Sequence, residues 1–269
     1  MPAVARLGFL LGSLVLLFAL APSPGARASD ARPTVVIDPG HGGADLGARA
    51  ASGAFEKELT LSVAKKLVVL LRKEGTNAVL TRESDVFIAL PERAELANRA
   101  RAELFVSIHV NSAPEKDISG SETYFLSLEA SDDEAMRVAM TENDVYGQDG
   151  TDDQGRDVVG AILGDLIRTD HLRASSALAA SIQRHLAQLP GASRGVKQAP
   201  FVVLTGVNMP AALVEIGFIT NATEAERLGQ RDRQDAIAKA LAAAITEAMV
   251  QNREARLAPG DAPTEETKP

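Results

Sequence analysis

Apolar and polar positions follow two periods along this chain. From Thr34 onward, short apolar runs alternate with stretches whose apolar residues recur at helical spacing, the pattern of βα units around a mainly parallel sheet. TVVID is expected as a first strand, unalternating as a strand buried on both faces should be. After a glycine-rich loop, Leu59, Val63, Leu67, Leu70 and Leu71 predict a helix with Lys65, Lys66, Arg72 and Lys73 outward and Gly75 at its end. TNAVLTR predicts a second strand. PERAELANRARA predicts a helix opened by Pro91. ELFVSIHVNS and GSETYFLS read as the third and fourth strands.

The alternation breaks between Ser127 and Ser175, which hold twelve acidic residues against four arginines and no clear strand. This stretch reads as an insertion with helical flanks, DDEAMRVAMTEN and VVGAILGDLIRTDHL. Beyond it come a helix around SSALAASIQRHLAQL, a strand at Pro200 to Leu204, a strand PAALVEIGFIT, and a last helix aligned on Ile237, Leu241, Ile245 and Met249. The fold expected is one α/β domain over 33–250. Its twisted central sheet is mainly parallel and flanked by helices on both faces, and the helical insertion occupies 127–175. Residues 251–269 are polar and proline-rich and are expected to be disordered.

The amino terminus changes the compartment. Arg6, the fourteen-residue run Leu7 to Leu20, a Pro/Gly break and Ala26-Arg27-Ala28 form the pattern of a secretory signal cleaved after Ala28. The run is shorter than the roughly 20 residues of a membrane-spanning helix, so the mature protein is expected to be no integral membrane protein. Cleavage removes two of 28 basic residues, leaving 26 against 36 acidic ones, which argues against nucleic acid as a partner. An exported chain without cysteine forgoes disulfides, and any metal it holds must sit on nitrogen and oxygen ligands.

Four histidines are present. His171 and His185 lie among ordinary surface residues of helical patterns. His41 and His109 each follow a buried strand at its carboxyl end, where open α/β sheets gather their ligands. A zinc site wants a third ligand, and Glu56 or Glu58 in the first turn of the following helix could supply it. Helix amino termini favour acids in any case, so periodicity leaves the two open. Glu215 interrupts Ala211-Ala212-Leu213-Val214 at the end of another buried strand, where a charge is costly unless paired or used, so it is the candidate to move protons beside a metal; a salt bridge to a neighbouring arginine is the less economical alternative. Asp38, at the first strand's end, is expected to support a metal-bound imidazole from behind or to cap the turn. GHGGADLG matches neither a dinucleotide fingerprint nor a phosphate loop.

IDPGHGGADLGA, EKELTLSVAKKL, TRESDVFIALPERAELAN, LFVSIHVNS and LVEIGFITN, in that order, resemble the zinc-dependent N-acetylmuramoyl-L-alanine amidases of the type-3 family, over Thr34 to about Val250. The resemblance implies one zinc ion on His41, Glu56 and His109, which decides between Glu56 and Glu58, and Glu215 as catalytic acid/base. It implies hydrolysis of the amide joining the muramic acid lactyl group to L-alanine of the peptidoglycan stem peptide; the leader places that activity in the periplasm, and a monomer is expected. Cell-division members are similar in carrying a helical segment at this place that covers the site until a LytM-type activator displaces it. By placement, Glu142 is the first choice for an acid that reaches the metal and Glu134 the second; a solvated acidic lid without metal contact is the alternative. No separate amino-terminal targeting module is expected ahead of the catalytic region, a departure from many relatives that leaves septal recruitment without a carrier. The competing functions are a non-catalytic peptidoglycan binder or activator on the same fold, and a zinc carboxypeptidase acting on stem peptides.

Overall fold

The computed structural model describes residues 32–144 and 169–257. The leader, most of the helix expected at VVGAILGDLIRTDHL, and residues 258–269 lie outside them. Six strands form one sheet in the order β2-β1-β3-β6-β4-β5: β1 Thr34–Pro39, β2 Asn77–Leu80, β3 Leu104–Asn111, β4 Ser121–Leu126, β5 Ser193–Ala199 and β6 Ala211–Phe218. Four of the five pairings are parallel, and β4 runs antiparallel to β6. The helices are α1 Glu56–Lys73, α2 Leu90–Arg99, α3 Asp133–Asn143, α4 Thr169–Leu186, α5 Ala222–Gly229 and α6 Arg231–Leu257.

Each face of the sheet has its own core. Val35, Ile37, Val106, Ile108, Val214 and Ile216 meet α1, α4 and α6 through Leu67, Leu178 and Leu241. Val36, Phe105, Leu213 and Tyr124 meet α2 and α3 through Leu90, Ala97, Ala135 and Val138. Adjacent residues of a strand point to opposite faces, so VVI and FVSI feed both cores at once, and each fully buried Leu, Ile or Phe contributes about 1.5–3 kcal/mol. The α1 stripe Leu59, Val63, Leu67 and Leu71 is buried as its spacing requires. Local signals set the ends: the Asp132 side chain accepts from the Ala135 amide at the start of α3, and Pro91 opens α2.

Three expectations are corrected. The strand expected at Pro200 to Leu204 lies earlier, at Ser193–Ala199, and Val202–Leu204 form a 3-10 turn. β5 pairs with β4 alone, so this edge strand is largely half-exposed and charged. The apolar FVVL instead buries Phe201, Val203 and Leu204 against α2 and α3. Helix α5, capped by the Asn221 side chain on the Glu224 amide, was not anticipated. Helix α6 continues past 250 to Leu257 because QNREARL is rich in helix formers.

Candidate metal centre

The face of the sheet toward α2 and α3 changes character along its strands. It is apolar where the parallel strands begin, at Val36, Phe105 and Leu213, and two residues on each strand becomes Asp38, Ser107 and Glu215. His109 follows on β3, and its Cα pairs in register with that of Glu215. Glu215 in turn pairs with Glu122 across the antiparallel neighbour. The polar groups therefore collect at the carboxyl ends of the parallel strands, buried beneath α3 and the loop after β1.

Four side chains converge there. His41 Nε2 lies 3.1 Å from Glu56 Oε1 and 3.3 Å from Glu142 Oε2. His109 Nδ1 lies 3.2 Å from Glu56 Oε1 and 2.7 Å from Glu142 Oε2. One ligand atom from each of the four falls within 4.8 Å of all the others. Yet His41 Nε2, His109 Nδ1 and Glu142 Oε2 are buried without a directed hydrogen-bond partner, because they point at a shared centre rather than at one another. Ligands about 2.0–2.1 Å from a tetrahedral zinc ion stand roughly 3.3 Å apart, so the spacing and the all-nitrogen-and-oxygen donor set fit such an ion.

Local chemistry aims each donor. Both Asp45 carboxylate oxygens stand 2.9 Å from His41 Nδ1. Asp45 titrates below its ordinary value, because the hydrogen bond from His41 and that imidazole's charge outweigh burial. An ionised Asp45 can only accept, so Nδ1 donates and a neutral ring leaves Nε2 free as a ligand. Glu56 accepts the Val110 amide on Oε1 and the Ala48 amide on Oε2, both at 2.9 Å. Glu58, the other acid of that turn, is exposed and accepts the Phe55 amide. Gly47, at φ 64°, leaves space that a Cβ would fill at 2.7 Å from both Glu56 Oε2 and His41 Cδ2. The glycines thus make room for the converging side chains themselves.

The centre is strongly anionic. Burial pushes the imidazoles down, but Glu56, Asp45 and Glu142 hold His41 well above its usual value, and Glu142 and Glu56 hold His109 up at about 10. Burial raises Glu56, yet the two imidazoles beside it win and hold it well below the carboxylate range. Surroundings that raise imidazoles this way also favour a cation. Glu215 differs: burial first, then the charge of Glu142, push it well above the carboxylate range, and both its oxygens are buried without a partner. Among the described residues no arginine pairs with it, which leaves the salt-bridge reading without a partner there.

Two arginines that look like surface charges in the sequence pin the loop carrying His41. Arg82 donates to the Pro39 and Gly40 carbonyls, and Arg93 to those of Pro39 and His41. This holds His41 at φ 59°, a left-handed conformation uncommon outside glycine. Asp38 does not back an imidazole, which corrects that expectation. It accepts from Thr81, Ser107 and Arg93, and the carboxylate behind His41 is Asp45. Burial raises the Asp38 pKa, but Arg93 and the two hydroxyls lower it further, so its contribution to stability is full above the unfolded value near 3.9 and lost as pH falls through the lower folded value.

Of the two acids expected on the insertion, Glu142 reaches the cluster and Glu134 does not. Glu134 is held by Arg194 and Lys197 of β5. Helix α3 is further tied by Arg137 to the Ser112 carbonyl and by Asn143 to the backbone of Pro200 and Val202. His185 pairs with Glu247, away from the cluster.

A family model described as N-acetylmuramoyl-L-alanine amidase, Amidase_3, matches residues 35–247. The chain belongs to this amidase family. The amidase is 37% identical over 227 residues to the N-acetylmuramoyl-L-alanine amidase AmiA of Escherichia coli K12, across 82% of this chain and 78% of that one. It is 33% identical to AmiC of Neisseria meningitidis across 83% of this chain and 54% of the relative. Among solved structures, the amidase AmiC2 of Nostoc punctiforme superposes at a TM-score of 0.62 with 31% identity, covering 81% of this chain and 97% of that one. An amidase from Clostridium difficile 630 superposes at 0.64 with 28% identity, over 81% and 97%. The amidase residues that sequence reasoning missed are Asp45, Arg82, Arg93, Arg194 and Lys197. The arginines of TRESDVFIALPERAELAN lay within a quoted motif, but nothing in their spacing marks them as buried.

Proposed function

We propose that this amidase holds one zinc ion on His41, Glu56 and His109 and hydrolyses the amide between the muramic acid lactyl group and L-alanine of the peptidoglycan stem peptide. The observation that carries the reading is the convergence of His41 Nε2 and His109 Nδ1, both unpaired, with a Glu56 oxygen beside Glu215, whose buried carboxylate has no partner among the described residues. The chemistry that zinc supplies when bound is Lewis acidity toward a carbonyl and toward water, whose pKa it lowers to about 7. Glu215 takes the proton of the attacking water and returns it to the departing nitrogen. The C–N bond breaks, leaving a lactyl carboxylate and the free amine of L-alanine. A carboxyl whose pKa burial holds well above the ordinary carboxylate range suits both halves of that transfer. Asp45 fixes the ring of His41, and Arg82 and Arg93 fix the loop that carries it.

The leader would deliver the enzyme across the inner membrane to the periplasm, where its substrate, peptidoglycan, lies. Among the described residues no helix is long and apolar enough to cross a membrane. Incubation with sacculi should release peptide, a chelator should stop it, and added zinc should restore it. Release that is indifferent to chelation would remove the metal from the account.

In this reading α3 is a strap: Glu142 takes up ligand space that substrate and water need, and an activator of the LytM type would lift it. Glu142→Ala should raise basal release about 5–150-fold, the span of a coupling free energy of ~1–3 kcal/mol. An unchanged or lower rate in a folded, zinc-loaded variant would argue against the strap.

A further inference from the structure

The cations that grip Glu134 are built for more than a surface ion pair. Arg194 and Lys197 are three residues apart on β5, an odd spacing that would send them to opposite faces of a regular strand. The β4–β5 register slips between Ser121 and Thr123, with Glu122 of β4 facing both Arg194 and Gly195 of β5, and Gly195 takes φ 90° at the bulge. The slip brings both side chains to one side. There Arg194 Nη2 meets the two Glu134 oxygens at 2.6 and 2.7 Å, and Lys197 Nζ meets one of them at 2.9 Å. Beneath, both cations are anchored on the buried Glu122, whose strand partner is Glu215. The Arg194 guanidinium also lies 5.4 Å over the Phe218 ring, which fixes the plane of its fork.

Charge shows what the pair lacks when α3 is away. Two cations then share the one buried carboxylate of Glu122, with Glu134 and Asp132 withdrawn on the helix, and the pocket carries an uncompensated positive charge. Glu134 and Glu142 are eight residues apart, so α3 sets two carboxylates about 12 Å from each other, one on the cations and one on the histidines. An extended peptide covers that span in three to four residues, at about 3.3–3.6 Å each.

We infer that Arg194 and Lys197 form a subsite for a carboxylate of the substrate's peptide, about three residues beyond the scissile amide, and that Glu134 occupies it in the strapped state. The inference rests on the amidase reading above and adds a specificity determinant to it. Acidic peptides are the ligand class; peptides whose carboxylates are amidated lose the contact.

The test uses the full zinc-loaded chain and two synthetic muramoyl tripeptides, one with free carboxylates and one amide-capped. Loosening the strap acts on both substrates alike, so their ratio is read: Lys197→Met should lower kcat/KM for the free acid relative to the capped substrate about tenfold, through KM, as expected for one lost charge-assisted hydrogen bond. Equal losses on both substrates, or a fall in kcat alone, overturn the subsite. Glu134→Gln is the second variant, on a part-exposed side chain, and should tighten binding of the free-acid tripeptide several-fold more than that of the capped one in fluorescence anisotropy. Unchanged affinity overturns the proposal. If neither the parent nor Glu142→Ala cleaves tripeptide or sacculi, the amidase reading fails, and the anisotropy result still decides whether the carboxylate site exists.

Discussion

Glu215→Ala should keep its zinc and lose peptide release by about 10²–10⁴-fold, the usual worth of a positioned general acid/base. The residue stands opposite His109 on the neighbouring strand, fully buried, with neither oxygen hydrogen-bonded. Among the described residues both of its carboxylate oxygens are buried without a partner. An unpaired buried polar group costs stability, so removing it should leave the unfolding midpoint unchanged or higher. Lost activity, retained metal and undiminished stability together separate a catalytic carboxylate from a structural one. Wild-type release by the variant would contradict the assignment, and loss of zinc would make Glu215 a ligand instead.

His41→Ala should abolish both metal binding and release. Its Nε2 is one of the converging atoms, and its loss leaves Glu56 and His109 as the remaining ligands of the proposed three. Altering a group that merely supports a ligand costs about 10–100-fold in metal affinity, and removing the ligand itself should cost more. Zinc content after dialysis and release from sacculi are the two readouts. His185, paired with Glu247 away from the cluster, is the control whose alanine variant should keep both. Full zinc occupancy in His41→Ala would overturn the ligand set.

Much of this architecture is written in strand-length patterns. FVSIHVN shows its two faces directly: Val106, Ile108 and Val110 enter one core, while Phe105, Ser107 and His109 run from core to site on the other. VVID ending in Asp38 and LVE ending in Glu215 say the same of their strands. What stayed hidden depends on the path of loops and on pairing partners. Asp45 meets His41 only because the turn closes between Gly42 and Asp45. Arg82 and Arg93 carry the charge of surface residues, yet they are buried because loop carbonyls surround them. Glu134 and Glu142, eight residues apart, lie only about 80° apart around a helix, so periodicity could not say which of them faces the histidines. The edge strand β5 escaped notice because half of it is wet and its bulge breaks the alternation.

The identity of the new chain end is the most direct test of the central claim. The purified protein should be incubated with sacculi and the soluble products analysed by mass spectrometry. The account requires stem peptides with a free L-alanine amine and glycan strands that keep intact lactyl carboxylates. Peptides shortened from the carboxyl end, with the lactyl–alanine bond uncut, would contradict it and point to a carboxypeptidase.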